Sequence, residues 1–377
     1  MSSTRACGGA TGVSAEPPLL SVRDLRVSFA TDRGVARVLD RVNFAIAPGQ
    51  VVGLVGESGC GKTTLARTIL GVLPPNSAVI EGGEVVFDGR DLLAMDAARV
   101  ASTVRGRAIT FIPQDPYSSF NPVFTVGTQM MELMKWKSPL LRRQGDEAGR
   151  RVGGGALPAV LRRYPRARYR ADRERVMELL RMAQLPRPEE ILRKYPHELS
   201  GGQRQRLMIA MALLPEPKLI IADEPTTALD VTIQAQILKL LRRLIADSGV
   251  AVLFTTHDLG TAYEVCDRVT VMYAGQDVES APTAAFFTRP SHPYTKRLLD
   301  SLPSAERGTL AGIPGEIPGL IDPPGGCRFH PRCERATEEC RRVRPLPDRL
   351  GADHYVRCYH PFEYGGGSER DRARLTA

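Results

Sequence analysis

No stretch of this 377-residue chain approaches the roughly 18 uninterrupted apolar residues that a membrane-spanning helix requires. Its longest apolar runs, such as Val51–Val55 and Leu219–Ala222, have the length of buried strands. Residues 1–18 contain Ser, Gly and Ala with one Arg and no apolar segment, so they do not read as a secretory signal. No internal repeat is present, which leaves one structural unit and not a duplicated one. An acidic excess is also lacking. The 51 Lys and Arg against 42 Asp and Glu give a net charge of +9, which raises nucleic acid or anionic lipid as partners until the charge is located. Between Leu141 and Arg175 eleven Arg stand against four acidic residues, so most of the excess sits in one segment. With its Gly153-Gly154-Gly155 run this segment reads as a solvated, partly disordered insert, and contact with lipid headgroups is the sharper alternative. Together these absences lead to the expectation of a cytosolic globular protein, one that other subunits could hold at a membrane.

What is present has the order of an α/β protein. Leu20–Phe29 and Val38–Ile46 alternate apolar and polar residues as strands do. Val51–Val55 is apolar throughout and Val-rich, as expected of a strand buried on both faces of a parallel sheet. A glycine-rich loop and a helix over Thr63–Leu73 follow. Glu84–Phe87 before Asp88-Gly89 reads as a strand and turn, and Ala108–Ile112 as another strand. From Pro116 to Leu214 the chain is strand-poor, with helices expected over Met130–Trp136, Arg175–Gln184 and Gln203–Leu214. Strands return at Leu219–Ala222, Ala251–Thr255 and Val269–Tyr273, the first two separated by a helix over Val231–Asp247.

Three strings carry chemistry. Gly56-Glu57-Ser58-Gly59-Cys60-Gly61-Lys62-Thr63 fits G-x-x-x-x-G-K-[ST] between a buried strand and a helix. Its glycines let backbone N–H groups close around phosphate oxygens, Lys62 supplies a point charge, and the Thr63 hydroxyl suits magnesium. Leu219–Ala222 ends in Asp223-Glu224: a carboxylate able to hold magnesium through water, then one placed to polarise an attacking water. Leu199-Ser200-Gly201-Gly202-Gln203 precedes a helix and makes a second anion-binding helix start. One nucleotide has one γ-phosphate to offer, so the second start is expected to serve a nucleotide held by another subunit.

With these strings in this order the chain resembles the ATPases of ABC transporters, over about Leu20–Ser280. The resemblance implies ATP and Mg2+ as ligands. ATP would be bound by Gly56–Thr63 with Thr64, and Phe29 would stack on adenine. Gln114, after Ala108–Ile112, would contact magnesium and sense the γ-phosphate. His257, after Ala251–Thr255, would contact the γ-phosphate. The catalytic set is then Glu224, His257 and Gln114, the magnesium set Thr63, Gln114 and Asp223. Leu199–Gln203 would act on the partner's ATP, and Ala228-Leu229-Asp230 would cross the dimer interface. No catalytic position is degenerate.

A narrower resemblance covers Phe111–Pro122, Tyr195–Ser200, Ala228–Ile237, His292–Thr295 and the cysteine-bearing tail. These are similar to the ATPases of oligopeptide, dipeptide and nickel importers. The implied fold is a mixed α/β core, a helical subdomain carrying the signature and a small Cys-rich C-terminal extension. Residues 1–17 would be a disordered N-terminus, 18–290 the ATPase domain with helical subdomain 115–215 and insert 137–175, 291–363 the extension and 364–377 a disordered tail. The implied partners are a second ATPase subunit (a paralogue in preference to a second copy), two membrane permease subunits and an extracytoplasmic substrate-binding protein. Its place would be the cytoplasmic face of the membrane, and its task import of di- or oligopeptides, with nickel as the alternative. The groove receiving the permeases is expected near Gln114–Leu133. A soluble ABC ATPase acting on nucleic acid would usually carry two cassettes or a long coiled coil, and neither is present. A non-hydrolysing subunit would lack Glu224 or His257, and a sugar importer would end in a β-rich domain.

Seven cysteines occur. Cys7, Cys60 and Cys266 are isolated, whereas Cys327, Cys333, Cys340 and Cys358 crowd together. A cytosolic chain does not rely on disulfides, so the cluster reads as a metal site. Its gaps of five, six and seventeen residues suit a [4Fe-4S] cluster better than the short ligand pairs of structural zinc. His330 and His360 could replace a cysteine, which keeps zinc open. The distance in sequence from the nucleotide residues implies a structural or redox-sensing role with no part in hydrolysis.

Overall fold

The structure, a computed structural model, describes residues 17–143, 164–226, 230–302, 312–351 and 353–364. The expected disordered N-terminus and tail, most of the Arg/Gly-rich insert, and Ala228-Leu229 lie wholly or almost wholly outside these residues.

Twelve strands form two sheets among the described residues: β1 (Leu20–Thr31), β2 (Gly34–Ile46), β3 (Val51–Val55), β4 (Ala78–Phe87), β5 (Arg90–Asp91), β6 (Ile109–Ile112), β7 (Leu219–Asp223), β8 (Ala251–Thr256), β9 (Arg268–Tyr273), β10 (Gln276–Pro282), β11 (Asp348–Arg349) and β12 (Tyr355–Val356). One sheet is antiparallel, in the order β2-β1-β4-β5. The larger runs β11-β12-β10-β9-β3-β8-β7-β6, parallel from β9 to β6 and antiparallel beyond. Successive side chains of a strand face opposite sides, and β3 follows that rule. Val51 and Val55 join the core shared with the helices, while Val52 and Leu54 join the core between the two sheets. Both faces are buried, hence the uninterrupted apolar run.

The strand-poor middle forms helices Val126–Lys137, Arg166–Met182 and Gly201–Leu213. Val126, Met130 and Met134 recur every four residues and bury one stripe against Val176, Leu179 and Leu180. The C-terminal residues do not stand apart. β12 pairs with β10, Leu320 O accepts from Arg37 N at 2.7 Å, and Arg357 pairs with Asp277 at 2.9 Å. Among the described residues no helix is long and apolar enough to cross a membrane.

Three expectations need correction. The helix after the glycine loop spans Lys62–Leu70 and stops short of Leu73, because Gly71 adopts a left-handed cap and donates to Arg67 O and Thr68 O. The strand expected at Glu84 begins at Ala78, with register shifts against β1 beside Gly82 and Gly83. The helix expected at Arg175 begins at Arg166, inside the segment read as a solvated insert. Its first turns bury Asp172, which accepts hydrogen bonds from Ser138 and Tyr164, so this end of the insert is structured.

Candidate active site

The glycine-rich loop leaves β3 and enters the helix Lys62–Leu70, so backbone N–H groups converge at a helix N-terminus. Gly56 has φ 155°, and a Cβ there would lie 2.2 Å from Met272 O. Only glycine lets the loop pass this close to β9. Lys62 is buried, and its Nζ donates to Gly56 O at 2.7 Å and Glu57 O at 3.3 Å. The ammonium therefore sits inside the turn where phosphate oxygens would approach. Cys60 is buried against Lys62, while Ser58, Gly59 and Thr63 are exposed and Thr64 half-buried. Phe29 is half-buried on β1 and packs on the core that also holds Cys60.

The carboxylates lie at the end of β7. Asp223 is buried, and its Oδ1 accepts from Thr255 Oγ1 at 2.5 Å and Thr63 Oγ1 at 3.4 Å. This joins the loop's hydroxyl to the acid at the end of β7, two strands from β3, with Thr255 of the intervening β8 on the same oxygen. Glu224 leaves the strand at φ 47°, a left-handed conformation uncommon outside glycine and costly enough to need support. The support is Thr255, whose carbonyl and hydroxyl both accept from Glu224 N, at 3.0 and 3.2 Å. So turned, Glu224 Oε2 meets Gln114 Nε2 at 3.1 Å and His257 Nδ1 at 3.1 Å. Three parallel strand ends, β6, β7 and β8, thus deliver Gln114, Glu224 and His257 to one point. The sequence strings did not single out Thr255, although its neighbours in Thr255-Thr256-His257 mark the same strand end.

The signature segment is a helix start. Ser200 caps Gly201–Leu213: its hydroxyl accepts from Gln203 N at 3.3 Å, and Gln203 Oε1 accepts from Ser200 N at 3.0 Å. Ser200 keeps its own O–H proton to donate. Leu199 is buried, and its carbonyl accepts from Arg204 Nη1 at 2.5 Å. The Arg204 guanidinium lies 3.5 Å over the ring of Tyr117, in the segment after Gln114. Asp230 caps the helix Val231–Ser248 by accepting from Ile233 N, and Gly202 faces Ile233 closely. A cleft lined by Phe111, Gln114, Asp115, Leu133, Met208 and Met211, and reaching Thr63 and Asp223, opens beside these elements. Tyr117, Val123 and Phe124, in the segment after Gln114, are exposed.

Cys327, Cys333, Cys340 and Cys358 line one small cavity with His292, His330 and His360. Burial pushes the Cys327 thiol up to about 11 and Cys358 up to about 12, and the neighbouring thiols add to both. His292 is buried and neutral, its pKa lowered to about 4 by burial. Its Nδ1 accepts from Tyr294 N at 3.0 Å, so Nε2 carries the proton, and that buried Nε2 has no partner. No three His, Cys, Asp or Glu side chains among the described residues form a ready-made metal site. The segment is not remote from the nucleotide residues, as its place in the sequence implied: Arg332, beside Cys333, pairs with Glu57 of the glycine loop.

Comparison with known proteins agrees with this geometry. The family profile described as ABC transporter matches residues 39–227, and the one described as oligopeptide/dipeptide transporter, C-terminal region, matches residues 278–340. A probable peptide ABC transporter ATP-binding protein of Sinorhizobium fredii is 44% identical over 92% of this chain and 96% of its own length. The oligopeptide transport ATP-binding protein of Salmonella typhimurium is 41% identical over 92% and 94%. Among solved structures, a dimeric ATP-binding cassette in a post-hydrolysis state with ADP and phosphate superposes with a TM-score of 0.54 at 25% identity. It covers 70% of this chain and 98% of that one.

Proposed function

The chain belongs to the ATP-binding subunits of ABC transporters, and on that premise we propose that it hydrolyses ATP to power uptake of di- and oligopeptides across the cytoplasmic membrane. The meeting of Gln114, Glu224 and His257 beside the Lys62 loop carries the reading of hydrolysis. The C-terminal match and the names of the relatives support peptides as cargo.

In this reading the loop's N–H groups and Lys62 hold the β- and γ-phosphates. Phe29 stacks on adenine. Glu224 orients the attacking water and takes up its proton, with Gln114 and His257 holding the carboxylate and reading the γ-phosphate. Thr63, Asp223 and Gln114 offer the hard oxygen donors magnesium prefers, and the Thr63–Asp223 contact already brings two of them together. Bound there, the ion would neutralise phosphate charge. Each cassette has two anion-binding helix starts for one nucleotide, so Ser200–Gln203 acts on ATP held by a partner cassette, with Asp230 at the interface. The dimeric form of the similar solved cassette supports that arrangement. The cleft along Gln114–Leu133 receives the permease subunits, and Arg204 on Tyr117 connects it to the signature helix. Residues 18–290 then act as the ATPase domain and 291–363 as its extension, peripheral to the membrane.

A second reading concerns the extension. Four thiols separated by up to thirty residues line one cavity, and the partnerless Nε2–H of His292 lines it too. In kind and number, though not gathered into a ready-made site, these donors match a [4Fe-4S] cluster held by Cys327, Cys333, Cys340 and Cys358. Bound there, the cluster would cross-link a segment with little apolar core of its own.

Disrupting the gene tests the cargo. Loss of growth on short peptides as amino-acid source is expected, and intact growth with a nickel-uptake defect would move the assignment to metal import.

A further inference from the structure

The residue that follows Gly56 in the phosphate loop is held from the C-terminal extension. Glu57 N donates to Tyr294 Oη at 3.1 Å. Its carboxylate receives both arms of the Arg332 guanidinium: Nη1 to Oε2 at 2.9 Å and Nη2 to Oε1 at 3.3 Å. The remaining Arg332 donors are aimed with equal care. Nε reaches Pro314 O at 2.9 Å, Nη2 also reaches Ile313 O at 3.1 Å, and Nη1 also reaches Tyr273 Oη at 3.3 Å. Arg332 and Tyr294 are both buried, and Tyr294 packs with Tyr273 and Phe329. A forked, charge-assisted pair with its guanidinium buried and its carboxylate partly exposed is geometrically exacting and among the stronger polar contacts a protein makes. Glu57 is also the residue whose carbonyl faces the Lys62 ammonium. The other side of the nucleotide site is tied to the same segment. Arg328 pairs with Asp40 and donates to Ala274 O, and Leu320 O accepts from Arg37 N in the hairpin that carries Phe29.

We infer that Arg332 is a positioning residue of the ATP site: through Glu57, and together with Tyr294, it sets the shape of the phosphate loop, so nucleotide affinity depends on the extension. The inference rests on the reading of Gly56–Thr63 as the ATP loop. An ion pair that only fastened the extension to the cassette would affect stability and leave nucleotide affinity alone.

The test is ATP titration of the full chain, with steady-state hydrolysis by the transporter purified through it. Saturable ATP binding by the unsubstituted chain checks the loop reading by itself. On that baseline, Arg332→Ala is expected to raise Kd and KM for ATP together, about tenfold for a lost charge-assisted pair, while kcat falls less than threefold. Arg332→Lys keeps the charge without the fork and is expected to recover part of the affinity. Should Arg332→Ala fail to fold, Glu57→Gln keeps the side chain's shape, removes its charge and is expected to weaken ATP binding in the same direction. Folded variants with unchanged Kd, or a loss confined to melting temperature, would overturn the inference.

Discussion

Glu224 Oε2 lies 3.1 Å from His257 Nδ1, and the two residues follow the ends of adjacent parallel strands. The same oxygen accepts from Gln114 Nε2, so one carboxylate is held between side chains from both neighbouring strand ends. Replacing Glu224 by Gln keeps a carbonyl oxygen for these contacts and removes the base. Glu224→Gln is therefore expected to bind ATP as the unsubstituted chain does and to lose hydrolysis by about 10²–10⁴-fold, the usual range for a general base. Single-turnover hydrolysis with the partner cassette accounted for checks this, and near-normal turnover would remove Glu224 from the role.

Lys62 separates from Glu224 by phenotype. Its ammonium already occupies the turn of the loop, on Gly56 O and Glu57 O, where phosphate charge would be felt most strongly. Lys62→Ala removes that charge from a buried position and is expected to weaken ATP binding itself by tenfold or more. Equilibrium titration distinguishes this outcome from that of Glu224→Gln.

Much of this site was legible in the strings, for a physical reason: loops that wrap phosphate and strands buried on both faces leave little choice of residue. Val51–Val55 and Leu219–Asp223 read correctly because both faces are covered. The start of Arg166–Met182 did not read, because its buried apolar residues, Val176, Met177, Leu179 and Leu180, all lie in the second half. The first half buries the charged Asp172 instead, which no apolar period announces. The Arg332–Glu57 pair joins residues 275 positions apart. In the sequence Arg332 stood out only as a neighbour of Cys333. Thr255 supports Glu224 through a left-handed backbone turn, and such a turn at a non-glycine residue leaves no pattern to find.

Ser200 carries the claim that the signature acts on a partner's nucleotide. The Ser200 hydroxyl is engaged by Gln203 N as an acceptor and remains free to donate. Ser200→Arg places a bulky cation at the helix start. ATP affinity of the isolated chain is expected to stay within about twofold, while ATP-driven dimerisation and hydrolysis are lost. Size-exclusion chromatography with ATP, the partner cassette and the Glu224→Gln background reads dimer formation. A dimer of normal stability would contradict action in trans.

The cysteine cavity makes a compositional prediction. Protein purified without oxygen is expected to be brown and to contain about four iron and four sulfide per chain, the ratio of a [4Fe-4S] cluster. Cys340→Ser is expected to lose most of that iron. Colourless protein with one zinc per chain would replace the cluster with zinc.

The central claim is that ATP hydrolysis at this site drives peptide movement. Its most direct test is uptake of a radiolabelled tripeptide by proteoliposomes containing the whole transporter, purified through this chain and given its substrate-binding protein. Uptake is expected only when ATP is supplied on the side bearing this chain, and it should stop with Glu224→Gln although ATP still binds. Uptake of equal rate with Glu224→Gln, or ATP-dependent hydrolysis without any peptide movement, would contradict it.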